Sequence, residues 1–271
     1  MIEKDLLKIL ACPACKADVE HKNSRLICTK CKKVYSIKED IPVMLIGGAK
    51  IKCKKVWEKH WEKLKCESSL FGRFCELYRK LIISHAVAYY LDKYFPKKGL
   101  FIEAGSGTSQ TLSRLKKEGR MLFSVDIALT PLIDAKNENI DGAVCADILN
   151  LPFKDNSIDG IWNLGVMEHF YINDINKILN EFHRVLKARS KIILFWLPSF
   201  SSTQMVLRPV EILATKLRKS KFSFFPDEVT KLRSFKHARS LINKNKFRLV
   251  KMHFDHRDFF TYLIVVYEKS G

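Results

Sequence analysis

The chain reads as an α/β protein, a doubly wound and mostly parallel sheet preceded by a small cysteine-stapled module, and three observations predict this. The apolar run Leu100-Phe-Ile ends in Glu103 and a tight loop, Ala104-Gly105-Ser-Gly107-Thr108, the form of a strand feeding a ligand-binding turn. Two further apolar runs also end in acids, Asp126 and Asp147, as strands do where an open parallel sheet meets a nucleoside. Near the start, Cys12, Cys15, Cys28 and Cys31 stand in the spacing C-x2-C-x12-C-x2-C.

Taken in order, the cysteine segment comes first. Two C-x-x-C pairs place four thiolates on two tight knuckles, the ligand set of a zinc ribbon, and a site closed by four thiolates is structural because no position is left to activate water. A short lysine-rich segment has little core of its own and needs such a staple. The ribbon is placed at residues 1–48, ending at the glycine pair Gly47-Gly48.

Residues 49–98 are expected to form a helical connector that also serves as a lid over the bound ligand. Val56, Trp57, Trp61 and Leu64 recur at helical spacing, and Phe71, Phe74, Leu77, Tyr78, Leu81 and Ile82 continue the pattern as a second helix before Pro96. Aromatics so placed are weighed towards the core, with contact to a ligand by Trp57, Trp61, Tyr78 or Arg79 as the alternative.

From residue 99 the pattern alternates strand and helix. Glycines at 105 and 107 let a ligand approach the backbone closely, and Leu112 and Leu115 predict that Thr108 to Lys117 opens a helix with its amides facing that ligand. Met121 to Val125 is a second strand ending in Asp126, and Ala143 to Ala146 a third ending at Asp147. Gly160-Ile-Trp162-Asn163 is a fourth, followed by Val166-Met-Glu168-His169-Phe170. A helix is expected over 173–187, apolar at Ile175, Ile178, Leu179, Phe182, Val185 and Leu186. A fifth strand follows at 192–196, a sixth near 247–254, and the last is 259–267.

These motifs resemble class I S-adenosylmethionine-dependent methyltransferases over residues 100 to the C-terminus, most closely up to Leu197. The resemblance implies a Rossmann-like sheet of seven strands over residues 99–271, the last strand inserted antiparallel. It implies S-adenosylmethionine as cofactor, with Glu103, Gly105 and Gly107 around its methionine part. Asp126 would take the ribose hydroxyls, Asp147 the adenine amino group, Ile148 the ring, and Asn163 and Leu164 the floor near the sulfonium. Glu168 and His169 are the catalytic candidates. His169 fits two roles, a base for the acceptor's proton or a cap for the next helix. Two departures stand out, Ser109 in place of a third glycine and Ala188-Arg189-Ser190 in place of a Pro-Gly-Gly turn. No Asn-Pro-Pro-aromatic sequence follows the fourth strand, which disfavours transfer to an exocyclic adenine or glutamine amide nitrogen. Residues 2–46 resemble the small zinc-ribbon proteins that activate tRNA and release-factor methyltransferases. Joined in cis, the ribbon would act as a scaffold or substrate-docking module.

Composition bounds the partners. The 271 residues carry a net charge of +19, which draws a protein to RNA or an anionic membrane surface, although evenly spread lysines are equally a solvated face. Basic and aromatic residues concentrate in an insertion at about 199–245: Lys216, Arg218, Lys219, Lys221, Lys231, Arg233, Lys236 and Arg239 with Phe222, Phe224, Phe225 and Phe235. Val206, Leu207, Val210, Leu213 and Leu217 form a helix stripe there. Three readings fit it, a lid helix packed on the domain, an RNA contact and a membrane contact. No apolar run has the length of a membrane span, no secretory leader is expected, and thiolates committed to metal point to a reducing cytoplasm. The acceptor stays open, and a non-catalytic cofactor-binding relative and an RNA-binding ribbon protein are the rival classes.

Overall fold

The computed structural model describes all residues except 1, 48–49, 67–75, 139, 219–228, 231, 233, 243–246 and 271. Expectations resting on Phe71, Phe74, on the Lys219–Phe225 cluster, and on Lys231 and Arg233 lie outside the described residues.

Helix α1 (Lys4–Ile9) precedes four short strands, β1 (Val19–Lys22), β2 (Arg25–Cys28), β3 (Val34–Lys38) and β4 (Ile41–Val43), paired as an antiparallel meander. Helix α2 (Lys50–Cys66) follows; then a π-helical turn, Arg79–Ile83, runs directly into α3 (Ser84–Tyr94). The domain behind them comprises β5 (Gly99–Ala104), β6 (Arg120–Asp126), α4 (Leu129–Ala135), β7 (Gly142–Cys145), β8 (Ile158–Leu164), α5 (Ile172–Val185) and β9 (Leu186–Trp196). Helices α6 (Ser202–Arg218) and α7 (Phe235–Ile242) and strands β10 (Phe247–His253) and β11 (Leu263–Lys269) complete it.

Among the described residues the sheet has eleven strands in the order β1-β2-β3-β4-β7-β6-β5-β8-β9-β11-β10, so the expectation of a seven-stranded sheet is corrected. Strands β5 to β11 supply seven of them. The other four come from the ribbon, because β4 pairs parallel with β7, Val43 opposite Cys145, and the Met44 amide donates to the Cys145 carbonyl at 2.8 Å. An edge that would present unpaired amides is thereby covered. Strands β5 to β9 are parallel and nearly continuous in apolar residues, as a sheet covered on both faces requires; β11 runs antiparallel between β9 and β10.

One face of the sheet packs on α5, whose Ile175, Ile178, Leu179, Phe182 and Val185 are all fully buried. Leu6, Leu10 and Leu26 of the ribbon belong to the same core, and the bonds Ala11 N–H to Pro152 O (2.9 Å) and Lys154 N–H to Ile9 O (2.8 Å) tie the ribbon to the loop before β8. Burial alone would push the Glu181 carboxyl up; its contacts with Arg184 and Lys16, the latter at 2.8 Å, outweigh this and hold it below the usual carboxylate range. The opposite face packs on α3 through Val87, Tyr90 and Leu91.

Two local expectations change. The helix expected from Thr108 to Lys117 is a single 3-10 turn, Leu112–Arg114. Ser109 takes a left-handed φ of 54° and its hydroxyl lies 2.6 Å from that of Ser124, so the chain leaves the loop by successive three-residue turns in a stretch whose short hydroxyl side chains favour turns over helix. The segment 188–190 falls within the bounds of β9 as an irregularity: the register against β8 shifts between Ile158 and Gly160, and Arg189 turns left-handed with a φ of 63°. Among the described residues no helix is long and apolar enough to cross a membrane.

Candidate active site and metal centre

A cavity of about 960 Å3 opens at the carboxyl ends of the parallel strands. Its position follows from the topology: the chain runs from β5 through β6 to β7 on one side and returns to β8 and β9 on the other, and the segments that follow β5, β6, β7, β8 and β9 all contribute to its lining. Glu103, Gly105, Gly107, Asp126, Asp147, Ile148, Leu164, Glu168 and His169 all line it. Asn163 does not. Strand alternation turns it to the face of Ile161, where both of its amide atoms are buried without a hydrogen bond among the described residues.

The glycine loop is latched to the acid of the next strand. Asp126 Oδ2 accepts from the Gly107 amide and Oδ1 from the Ala128 amide, both at 2.9 Å. Burial pushes the Asp126 carboxyl up to about 6, with those two amides opposing the shift. Gly107 has a φ of 53°, and a Cβ there would stand 2.6 Å from the Trp61 ring; a Cβ on Gly105 would stand 2.7 Å from Val166. The loop therefore needs glycine both for its backbone and for the space above it. Glu103 is 2% exposed; burial pushes its carboxyl up to about 8 against the Thr111 hydroxyl, which donates to Oε1 at 3.3 Å. Asp147 accepts from the Leu149 amide at 2.8 Å, so it caps the turn Ile148–Asn150 while facing the cavity.

Helix α2 forms the roof. The sequence weighed Trp57 and Trp61 towards the core; both are half-buried and line the cavity. Their four-residue spacing, which marked an amphipathic helix, sets them on one face, and that face looks on the site. Trp57 meets the His169 ring edge-on at 5.0 Å. Glu58, which no motif singled out, accepts from the Leu129 amide at 2.8 Å and from the Thr130 hydroxyl at 2.6 Å, capping α4 and pinning the roof to the domain. Arg79, in the π-helical turn, and Thr261 and Tyr262, ahead of β11, also line the cavity. The sequence set Thr261 and Tyr262 inside the last strand, 259–267; that strand begins at Leu263, and their approach to the cavity depends on β11 lying beside β9.

The carbonyl of Glu168, itself 2% exposed, accepts from the Val229 and Thr230 amides at 2.7 and 2.9 Å, so the chain returning from the insertion buttresses the Glu-His turn.

The four ribbon cysteines converge with all sulfurs within 4.8 Å of one another, Cys12 to Cys31 at 3.6 Å and Cys15 to Cys28 at 3.5 Å. Thiolates around a tetrahedral zinc sit about 3.8 Å apart given Zn–S bonds near 2.3 Å. The donor set and its size fit a structural zinc ion, and the Tyr35 hydroxyl, 3.0 Å from the Cys12 sulfur, supports one ligand from behind.

Comparison with known proteins divides the chain in the same way. Residues 3–40 match the family described as Trm112p-like protein and residues 102–194 the family described as methyltransferase domain. A UPF0434 protein of Nitrosococcus oceani is 50% identical over 46 residues, 16% of this chain and 78% of that protein. An uncharacterized protein of Methanocaldococcus jannaschii is 32% identical over 113 residues, 41% of this chain; the match spans 47% of that protein, about half its length. Among solved structures, magnesium protoporphyrin IX methyltransferase from Synechocystis PCC 6803, with bound SAH, superposes with a TM-score of 0.57 at 15% identity, covering 82% of this chain and all of that one, a likeness of fold.

Proposed function

The chain belongs to the Trm112p-like family through its N-terminal ribbon and carries a methyltransferase domain behind it, and from that premise we propose that it is an S-adenosylmethionine-dependent methyltransferase with its activating ribbon built in. The observation that carries this reading is the convergence on one cavity of the glycine loop, Asp126, Asp147 and the Glu168-His169 turn under an aromatic roof. The two glycines give the loop its left-handed backbone and let Val166 and Trp61 close against it, and the acids Asp126 and Asp147 end the next two strands in the order a nucleoside site uses.

When bound, S-adenosylmethionine supplies an electrophilic methyl carbon on a sulfonium. Asp126 would take the ribose hydroxyls with the lone pairs that Gly107 and Ala128 leave open, Asp147 and Ile148 would hold the adenine, and Glu103 with the Gly105–Gly107 loop would hold the methionine end. Leu164 lines the floor, with Asn163 behind it rather than at the surface. Trp57 and Trp61 exclude water, which would otherwise compete with the acceptor and weaken the site's electrostatics. Orientation of the acceptor in line with the methyl group supplies most of the acceleration, and His169 takes the acceptor's proton where one must leave. The ribbon acts as a scaffold in cis, completing the sheet beside β7.

Calorimetry with S-adenosylmethionine and S-adenosylhomocysteine tests the cofactor assignment: both should bind, and absence of both would overturn it. Transfer of a radiolabelled methyl group into RNA, protein, lipid or small-molecule fractions then identifies the acceptor class, whereas cofactor binding with no transfer into any fraction would make the chain a non-catalytic relative.

A further inference from the structure

The least expected surface lies on α6 and on the loop before β11. Met205, Val206, Val210, Leu213 and Leu217 are 73%, 67%, 47%, 59% and 74% exposed. At 100° per residue they fall within an arc of about 140°, while Gln204, which is buried, and Glu211 and Thr215, which are half-buried, lie on the side towards the protein. Phe259 and Phe260, 58% and 53% exposed, continue the patch: their carbonyls accept from Ser202 at the start of α6, and both hold left-handed φ values of 53° and 56°. Two consecutive phenylalanines held in a conformation bulky residues avoid, with their rings in solvent, are unexplained by packing.

Charge narrows the occupant. On the same projection Lys216 falls within the arc, about 20° from Met205, and Arg208 about 60° outside its edge; both are exposed, as are Lys236 and Arg239 on α7. Residues 202–242 contain nine lysines and arginines against the acids Glu211, Asp227 and Glu228. An aliphatic arc with a lysine within it and an arginine to one side has apolar depth and cations whose long stems can carry their charge to the headgroups, the two properties an anionic bilayer surface complements. RNA would call for aromatic faces at the centre of the patch, and here the centre is valine and leucine. A second basic copy of this chain would meet it with like charge.

We infer that the α6 face together with the Phe259-Phe260 tip docks on anionic lipid bilayers, with the apolar arc in the headgroup–acyl boundary and Arg208 and Lys216 at the phosphates. The docked face is continuous with the site, since Leu197, five residues before α6, and Thr261, next to Phe260, both line the cavity. This inference does not rest on the methyl-donor assignment, and its test needs no cofactor.

The full chain is mixed with phosphatidylcholine vesicles with and without phosphatidylglycerol and sedimented. Binding should appear with phosphatidylglycerol and be weak without it. Leu213→Glu/Leu217→Glu should reduce the bound fraction about ten-fold or more with an unchanged melting temperature. Should that variant melt early, Lys216→Glu, which changes only a solvent-facing charge, should still lower the phosphatidylglycerol dependence. No binding to either vesicle, equal binding to both, or binding that these variants leave unchanged would overturn the inference. So would finding that the leucine variant abolishes RNA binding or self-association instead of vesicle binding.

Discussion

Gly107 carries more of the site than its size implies. Its amide fixes Asp126, its φ of 53° shapes the loop, and its missing Cβ leaves the space that Trp61 fills. Gly107→Ala should therefore weaken S-adenosylmethionine binding by about 1–3 kcal/mol in calorimetry, because the loop, the acid and the roof must shift together. Glu103 is a second single-residue test. Its carboxyl is raised by burial to about 8, so the native state binds a proton that the unfolded chain releases near pH 4.5, and the cofactor-free protein loses stability as pH rises between those values. Glu103→Gln removes that penalty. Thermal melts should show the variant stabilised most above pH 8 and not at all below about pH 4.5, while its affinity for S-adenosylmethionine falls. A variant stabilised equally at every pH would show that the carboxyl is not the cause.

At the scale of elements, α2 turns the site from an open crevice into a covered one. It is held by tertiary contacts, through Glu58 at the start of α4 and through Trp57 against His169. Removing the Glu58 carboxylate should cost about 1–2 kcal/mol of local stability, seen as faster hydrogen exchange at Leu129 and Thr130 and in α2, with little change in the ribbon. The helical spacing of Trp57 and Trp61 was plain in the sequence, but periodicity says only that a face is apolar. Whether that face meets a core or a cavity depends on what lies opposite, and here it is a loop of glycines. The missing helix after that loop has the opposite origin: Leu112 and Leu115 are buried as helical spacing demands, yet Ser109 turns the backbone left-handed before a helix can start.

Across the whole molecule the ribbon and the methyltransferase domain share one sheet and one core. Zinc stabilises the ribbon, the ribbon covers the edge of β7, and loss of the metal should reach the larger domain. Chelation, or Cys31→Ser, should lower the melting temperature of the entire chain and release zinc in a metal assay; a change confined to the first 45 residues in hydrogen exchange would show the two parts to be independent. Met44→Pro removes the amide that bonds Cys145, and proteolysis should then cut between ribbon and domain while zinc content stays intact.

The cysteine cluster, the glycine loop and the strand-end acids that converge in the structure could be picked out in the sequence because each follows a local rule: thiolate pairs sit on knuckles, a left-handed loop takes glycine, and an acid at a parallel strand's carboxyl end faces the crevice. Those rules identified the four cysteines, the glycine loop and the strand-end acids before any neighbour was known. Only the tertiary structure decided that four ribbon strands extend the sheet, that Asn163 faces away from the cavity, that two tryptophans roof it, and that Thr261 and Tyr262 complete its wall. Each of these depends on which element lies across from which, and that is set by long-range pairing and packing rather than by the spacing of residues along the chain.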